Sequence, residues 1–197
     1  MCAVRPIERL QVYSPTSENC LNLARTYGEK LGIETVAVST SLEAATNADI
    51  LVSVTNSMAP TINKNLVRPG MHITSVRGSE IPTQVLQALD YLVVNTSEPV
   101  SAYAARGKPS QVSEFKNGDY SRPDIGIIDF SKVPELKDAV CGHARSRTSK
   151  DEVTGFHNYK GLGLQFAAMG SIIYREAKKR KLGLNVENHY FSQDVHP

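Results

Sequence analysis

The 197-residue chain is poor in cysteine, has no tryptophan and contains no long hydrophobic run. Its three cysteines, Cys2, Cys20 and Cys141, are widely separated and odd in number, which excludes a disulfide framework and a CxxC metal site. Without a run of about eighteen apolar residues, a transmembrane helix is not expected. Residues 1–14 lack the apolar core and cleavage site of a signal peptide, so we expect a cytoplasmic protein with reduced thiols.

The chain also lacks an excess of charge of one sign. Its 22 Lys and Arg residues against 20 Asp and Glu residues give a formal net charge of +2. Such a surface does not attract nucleic acid or an anionic membrane, so neither is expected as a partner. No two histidines have the helical spacing of metal ligands, and no metal is predicted. The composition, 41% hydrophobic and 21% charged, is typical of a globular domain.

Short apolar runs alternate with amphipathic stretches in the first half of the chain. The pattern predicts helices through residue 30 and from residue 41, and strands at residues 10–13, 35–38, 50–54, 71–76 and 91–94. Because the run at residues 50–54 is apolar at almost every position, it is typical of a parallel strand covered on both faces. The alternation predicts an α/β fold with a doubly wound parallel sheet.

The second half of the chain is less regular. Residues 98–132 are rich in Gly, Pro, Ser and Lys and predict an irregular excursion. A short helix is predicted at residues 133–140, residues 153–158 are ambiguous between strand and helix, and a long helix with a basic, solvated end is predicted at residues 164–181. We therefore expect a partial dinucleotide-binding domain at residues 1–150, followed by a C-terminal strand, long helix and tail at residues 151–197.

The glycine-rich motif of a dinucleotide-binding fold is absent. GxGxxG, whose backbone approaches the pyrophosphate at a helix N-terminus, occurs nowhere in the chain. The lone GxG at residues 161–163 comes late in the chain and predicts close packing of a helix start. The pattern therefore predicts an incomplete doubly wound, Rossmann-type parallel sheet that begins part-way through the fold, with Met1 at the end of a crossover helix.

Several segments in a fixed order carry a resemblance to a known family. They are residues 12–16, 48–50, 54–57, 68–72, 147–154, 161–168 and the closing residues 193–197. In these segments the chain resembles the C-terminal portion of the ornithine cyclodeaminase/mu-crystallin family. The resemblance implies a dimerisation and substrate domain that is missing from this chain, a C-terminal helix that would return to that domain, and a homodimer in the full-length proteins.

The resemblance also implies an activity and a cofactor, NAD or NADP. Ornithine cyclodeaminases convert L-ornithine to L-proline and ammonia with NAD, and related members are imine or ketimine reductases or amino-acid dehydrogenases. The implied substrate is a small amino acid or cyclic imine. Because the family's substrate arginine, active-site lysine and glycine loop fall outside these residues, we expect them alone to bind a dinucleotide weakly or not at all. The alternative is a non-catalytic remnant or a module that binds a ligand or partner.

Polar residues after two predicted strands are candidates for contact with the adenosine half of the cofactor. Ser14 and Thr16 follow the strand whose end faces the ribose in a dinucleotide fold. An Asp or Glu there favours NAD, so these hydroxyls favour NADP or no preference, with helix capping as the alternative role. By the resemblance, Thr55, with Asn56 and Ser57 after it, lies near the adenosine side, with a plain polar turn as the alternative.

A second group of candidates lies on the nicotinamide side of the resemblance. Val76, Arg77 and Gly78 end a predicted strand where the family contacts the nicotinamide half of the cofactor. Asn158 and Lys160 fall near the family's nicotinamide-facing turn, with simple exposure to solvent as the alternative for Lys160.

Ser79 and Glu80 are the candidate catalytic residues. Ornithine cyclodeaminase is similar here but has an aspartate, active in proton transfer, at the position of Ser79, and a serine hydroxyl cannot act as a carboxylate base near neutral pH. Glu80 substitutes for that aspartate only if the loop turns differently. Otherwise Glu80 begins a helical turn, where the dipole favours its charge. Thr83 stands where the family has a lysine, so these departures weigh against the cyclodeaminase reaction more than against family membership.

Overall fold

The computed structural model describes residues 1–57, 59–97, 128–158, 163–187 and 189. The chain forms two compact units, Met1–Lys160 and Gly161–Pro197. Most of the predicted excursion at residues 98–132 lies outside the described residues, as do Lys160 and the closing segment 193–197.

The described residues alternate strands and helices in the order that the apolar runs predict. In chain order the elements are β1 (Arg9–Val12), α1 (Ser17–Leu31), β2 (Glu34–Ala37), α2 (Ser41–Ala45), β3 (Ile50–Ser53), β4 (His72–Ser75), α3 (Thr83–Leu86), β5 (Tyr91–Val94), α4 (Leu136–Val140), β6 (Thr154–His157) and α5 (Gly163–Arg180). Helix α4 begins later than predicted because a 3₁₀ turn, Phe130–Lys132, and Pro134 precede it. The ambiguous residues 153–158 contain a strand.

The parallel strands form two sheets in the described part of the chain. β1 pairs with β2, whereas β3, β4, β6 and β5 lie in that order in a four-stranded sheet. The prediction of a parallel α/β fold is confirmed. β6 lies between β4 and β5, with Thr154 opposite both His72 and Tyr91, so it belongs to the sheet of the first compact unit.

One face of the four-stranded sheet carries the main hydrophobic core. Its buried members are Ile62, Met71, Ile73, Ile81, Val85, Leu86, Val94 and Phe130. Gly155 in β6 permits this packing, because a Cβ there would overlap with Leu89 Cδ1. On the opposite face Val52 is 44% exposed. The expectation that residues 50–54 are covered on both faces is therefore wrong, since β3 pairs only with β4 among the described strands.

Helix α1 covers the β1–β2 sheet and buries one thiol. Cys20 in α1 is buried, and its Sγ donates to the backbone carbonyl of Val12 at 2.8 Å. Cys2 and Cys141 are exposed, and all three cysteines are free. The three thiols therefore differ in access although none is part of a disulfide.

Helix α5 is the long helix of the second compact unit. Its last turn holds Lys178, Lys179 and Arg180, the charge that the helix dipole favours and that the sequence predicts. Phe166 and Ile173 on this helix are both more than half exposed. In the part of the chain that the structure describes, no helix combines the length and hydrophobicity needed to cross a membrane.

Candidate functional site

The carboxyl ends of β3, β4 and β6 lie side by side because these strands are parallel neighbours. The loops that leave them are residues 54–57, residues 76–80 and Asn158, and we call this group the carboxyl-edge crevice. The structure thus brings together most of the residues that the sequence proposes as a site. In open parallel α/β sheets, ligands bind outside the carboxyl ends of the strands.

Glu80 is the centre of the hydrogen bonding in the crevice, and it is fully buried. Its Oε1 accepts from Ser53 Oγ at 2.8 Å and from the backbone N and Oγ1 of Thr55, each at 2.7 Å. Its Oε2 accepts from the backbone N of Arg77 at 2.9 Å. One carboxylate therefore joins the loop after β3 to the loop after β4.

The ionised form of Glu80 is the stable one. Burial alone would raise the pKa of the Glu80 carboxyl, but hydrogen bonds from Arg77, Thr55 and Ser53 outweigh it and hold the pKa below its ordinary value. Glu80 is the last residue of a 3₁₀ turn, Gly78–Glu80, so it ends a helical turn and does not begin one, as the alternative to a catalytic role had it. Hydrogen bonds from neutral donors of the two loops stabilise its negative charge.

The hydroxyls of the loop after β3 are already bonded within the protein. Besides its bond to Glu80, Thr55 Oγ1 accepts from the backbone N of Ser57 at 3.1 Å, and Ser57 Oγ donates to the Ala59 carbonyl at 2.9 Å. Arg77 Nη1 donates to the carbonyl of Asn56 at 3.2 Å. These bonds fix the backbone of the loop, and the Asn56 side chain stays exposed.

Ser79 and Asn158 are buried at the same edge, with 6% and 5% of their surface exposed. Asn158 Nδ2 donates to the Val76 carbonyl at 2.7 Å, which ties the end of β6 to the end of β4. The two loops pack closely, since a Cβ on Gly78 would lie 3.5 Å from both the Asn158 carbonyl and His157 Cε1. Ser79 Oγ and Asn158 Oδ1 have no hydrogen-bond partner among the described residues.

Ser14 and Thr16 lie at the end of β1, in the two-stranded sheet. Ser14 Oγ accepts from the backbone N of Thr16 at 3.3 Å. Thr16 occupies the N-cap position of α1, but its side chain makes no capping bond. Thr16 therefore has the position that the capping alternative predicts, but it lacks the hydrogen bond of a helix cap. Lys160, the remaining candidate, lies outside the described residues.

Sequence reasoning missed a second buried carboxylate, Glu135. Glu135 lies beside the carboxyl end of β5, because the backbone N of Val94, the last residue of β5, donates to the Pro134 carbonyl at 3.0 Å. Glu135 Oε1 accepts from both the backbone N and the Oγ of Ser97. The Lys137 ammonium at 2.7 Å, and then Ser97, lower the pKa of Glu135 to about 2. The sequence feature that could have identified Glu135 is its spacing from Asp138, because the two residues form a reciprocal capping pair at the start of α4.

A cavity of about 1100 Å³ opens at the opposite edge of the sheet, where β3, β4 and β6 begin. We call it the amino-edge cavity, and its lining includes Ile50, His72, Thr154, Arg5, Arg68, Arg147 and Lys150. Arg147 donates to the Gly70 carbonyl at 2.6 Å and to Thr154 Oγ1 at 3.0 Å. No predicted site residue that the structure describes lines this cavity, so it is separate from the crevice.

Comparison with known proteins agrees with the fold and with the resemblance. The sequence model of the ornithine cyclodeaminase/mu-crystallin family matches residues 1–181. A Delta(1)-pyrroline-2-carboxylate reductase of Bacillus cereus is 27% identical over 192 residues, which cover 94% of this chain and 54% of the relative. The chain therefore spans about half the length of this curated relative.

Solved structures give the same picture. The Delta(1)-pyrroline-2-carboxylate reductase of Thermococcus litoralis, solved with NADH and L-proline, is 28% identical with a TM-score of 0.73, covering 94% of this chain and 55% of that one. An archaeal alanine dehydrogenase dimer with bound NAD is 23% identical with a TM-score of 0.68, covering 94% of this chain and 54% of that one. The second likeness shows the fold alone.

Proposed function

The chain belongs to the ornithine cyclodeaminase/mu-crystallin family, and we propose that its carboxyl-edge crevice binds a nicotinamide dinucleotide for the reduction of a small cyclic imino acid. The observation that carries the proposal is the likeness, over 94% of the chain, to a pyrroline-2-carboxylate reductase solved with NADH and L-proline. The buried, unpartnered oxygens of Ser79 and Asn158 fit a polar ligand at the same edge.

The candidate residues divide by the part of the cofactor they would hold. The nicotinamide half would lie against Val76, Arg77, Gly78, Asn158 and Lys160, the adenosine half against Thr55, Asn56 and Ser57, and the ribose 2′ position against Ser14 and Thr16. Because no carboxylate stands at Ser14, NADP is accepted as well as NAD.

Imine reduction suits this crevice better than conversion of ornithine. When bound, the reduced nicotinamide supplies a hydride to the imine carbon. Glu80 acts as a positioning residue, because its carboxylate already accepts four hydrogen bonds from Ser53, Thr55 and Arg77. Ser79 remains the candidate for direct contact with the bound molecules.

Ligand-observed NMR of the purified chain with NADH and NADPH tests the proposal, because this method detects weak binding. The same samples are then mixed with Δ1-pyrroline-2-carboxylate, and the loss of NADH absorbance is followed. We expect both cofactors to bind weakly, because the glycine loop falls outside these residues, and NADH to be consumed slowly, whereas L-ornithine with NAD⁺ gives no proline. Binding without turnover would indicate the non-catalytic binding module, and the absence of binding would refute the cofactor site.

Cofactor preference has a matched pair of variants. Ser14→Asp puts a negative charge at the proposed ribose position and should weaken NADPH binding about tenfold relative to NADH. Ser17→Asp adds the same charge at the first residue of α1 and should leave the ratio unchanged. Equal effects of the two variants would place the ribose elsewhere.

We also propose a cytoplasmic homodimer. The three free thiols fit a reducing compartment, and the exposed Phe166 and Ile173 of α5 offer apolar surface for a protein partner. Sedimentation velocity of the purified chain should show a dimer that Ile173→Lys weakens, and a monomer at all concentrations would contradict the dimer.

A further inference from the structure

The charged side chains that line the amino-edge cavity are mostly cations. Against one carboxylate, Asp49, the lining has four cations, Arg5, Arg68, Arg147 and Lys150. A concave surface with charges of one sign focuses the electrostatic field and concentrates ions of the opposite sign. The cavity volume of about 1100 Å³ is comparable with the roughly 300–1,000 Å³ of small-molecule sites. The cavity therefore has the charge and the size to receive an anionic small molecule.

Two of the four cations are already held in place by the loops around the cavity. Arg68 Nη2 donates to the Ala45 carbonyl at 2.5 Å. Arg147 donates to the Gly70 carbonyl at 2.6 Å and to Thr154 Oγ1 at 3.0 Å. A guanidinium has five N–H donors, so neither arginine uses all of its donors in these bonds. Because the two side chains are ordered beforehand, they lose little conformational entropy when an anion binds.

The other two cations, Arg5 and Lys150, have no such anchor. Both residues are exposed, and neither side chain forms a hydrogen bond or ion pair with a described residue. Asp49 forms no ion pair with any of the four cations. In the described part of the chain, the positive charge of the lining is therefore not neutralised by the protein itself.

His72 lies within the positive field of the cavity. It lines the cavity, and its Nδ1 lies 2.8 Å from Thr154 Oγ1, to which Arg147 also donates. Burial, and then the charge of Arg147, lower the pKa of His72 below its ordinary value of 6.5. At pH 7.5 the ring is therefore neutral, and its resonances can report the arrival of an anion beside it.

We propose that the amino-edge cavity binds a compact oxyanion with two or more negative charges, held by the four cations of its lining. Guanidinium groups match the oxygens of phosphates and of carboxylates, so the ligand is a phosphate compound or a polycarboxylate. Arg5 precedes β1 of the two-stranded sheet, whereas the other three cations precede β4 and β6 of the four-stranded sheet. A bound anion would thus join the two sheets and stabilise the fold. This second site does not depend on the proposed dinucleotide site.

Titration of the wild-type chain with inorganic pyrophosphate and, separately, with citrate tests the inference. The ionic strength is kept constant with sodium chloride at pH 7.5, and the histidine ring resonances are followed by NMR. We expect the His72 resonance, assigned with His72→Gln, to shift and to saturate at millimolar anion, whereas that of the exposed His143 stays in place. The anion that saturates the shift at the lower concentration identifies the preferred source, phosphate or carboxylate.

Variants assign the binding to the cavity. Arg5→Gln and Lys150→Gln each remove a cation that has no structural bond, so each should weaken anion binding by about 3–10-fold and leave the unfolding transition unchanged. Arg25→Gln and Lys64→Gln are the matched controls, because both residues are exposed, do not line the cavity and carry the same charge. The control variants should bind the anion as the wild-type chain does.

The outcomes separate a cavity site from general attraction of anions. A saturable shift of His72 that Arg5→Gln and Lys150→Gln weaken, and that the controls leave unchanged, supports the inference. No shift of His72 with either anion, or a shift that sodium chloride alone reproduces, overturns it. Equal weakening in the controls also overturns it, because binding would then follow the net charge of the chain. Since the wild-type titration needs no substitution to fold, its result stands whatever the variants do.

Discussion

The loops at the two edges of the four-stranded sheet are fixed by side chains of opposite charge, carboxylates at one edge and arginines at the other. At the carboxyl edge, buried carboxylates accept from the loops, and Glu80 is fully buried. At the amino edge, the half-buried Arg68 donates to the Ala45 carbonyl at 2.5 Å, and the exposed Arg147 donates to the Gly70 carbonyl at 2.6 Å.

This difference in charge and burial suits the carboxyl edge to binding the proposed dinucleotide and the amino edge to stabilising the fold. Buried anions fix the crevice loops from within, so they leave the surface of the crevice to neutral polar groups such as the exposed side chain of Asn56. Arginines bridge the amino edge from the solvent side, where each bond is worth less because water competes. Substitutions at the two edges should therefore differ in size.

The largest effect is expected for Glu80→Ala. The change leaves the donors of Ser53, Thr55 and Arg77 without their acceptor and should lower the free energy of unfolding by about 3 kcal/mol. Urea unfolding followed by circular dichroism measures it. Glu34→Ala, which removes an exposed ion pair with Arg9 at 3.5 Å, is the control and should change stability by about 0.5 kcal/mol or less. Similar losses for both variants would show that burial of Glu80 contributes nothing.

Gly70→Ala tests the amino edge and should cost about 2 kcal/mol. Gly70 has φ +78°, and a Cβ there would lie 2.6 Å from the Lys150 carbonyl oxygen. Gly142→Ala is the matched control, because Gly142 has φ +76° with nothing within 4 Å of its Cβ. Gly142→Ala should cost about 1 kcal/mol, the strain of the left-handed backbone alone. Equal losses would mean that the Lys150 loop moves away freely.

A smaller effect is expected for Arg147→Lys. Lysine keeps the charge, but a single nitrogen replaces the two guanidinium nitrogens that bond separately to the Gly70 carbonyl and to Thr154 Oγ1, so a loss of about 1 kcal/mol is expected. Arg175→Lys on α5, where the guanidinium makes one long bond to Ser171 at 3.4 Å, should change nothing measurable. Thermal unfolding of the two variants measures the difference. An unchanged stability of Arg147→Lys would show that the two bonds of Arg147 do not stabilise the amino edge.

The smallest effect is a pH dependence from His72. His72 Nδ1 lies 2.8 Å from Thr154 Oγ1, and the same hydroxyl accepts from Arg147 at 3.0 Å, so the imidazole lies close to a guanidinium. Burial, and then the charge of Arg147, lower the pKa of His72 below its ordinary value of 6.5. The unfolded chain therefore takes up a proton first as the pH falls below about 6.5, and stability falls with it.

His72→Gln should flatten this part of the pH profile, whereas substitution of the exposed His143 should not. Unfolding free energies between pH 7 and 5, from urea titrations, give the slope. The Glu80 contribution has the same sign but lies lower, because its pKa is lowered from 4.5 and stability is lost only as that carboxylate protonates. A slope that persists in His72→Gln would assign the effect to another group.

The sequence predicts the strands well and the Glu80 network poorly, for a physical reason. Strands β1 to β5 follow from local apolar runs, and their parallel order places residues 54–57 and 76–80 at one edge. β6 is ambiguous because Thr-Gly-Phe-His is no apolar run, and only its position between β4 and β5 makes it a strand. The role of Glu80 depends on donors from Ser53 and Thr55, which adjacent residues cannot reveal.

Because the three thiols differ in exposure, their reactivity can report local opening of the β1–β2 sheet and α1 without an added label. A thiol reagent should modify the exposed Cys2 and Cys141 at once, whereas Cys20 can react only when α1 separates from β1 and its bond to Val12 breaks. The slow phase of modification then measures the frequency of that local opening, because exchange through rare open states follows their population. Repeating it with added dinucleotide would report whether occupation of the crevice is transmitted to the neighbouring sheet.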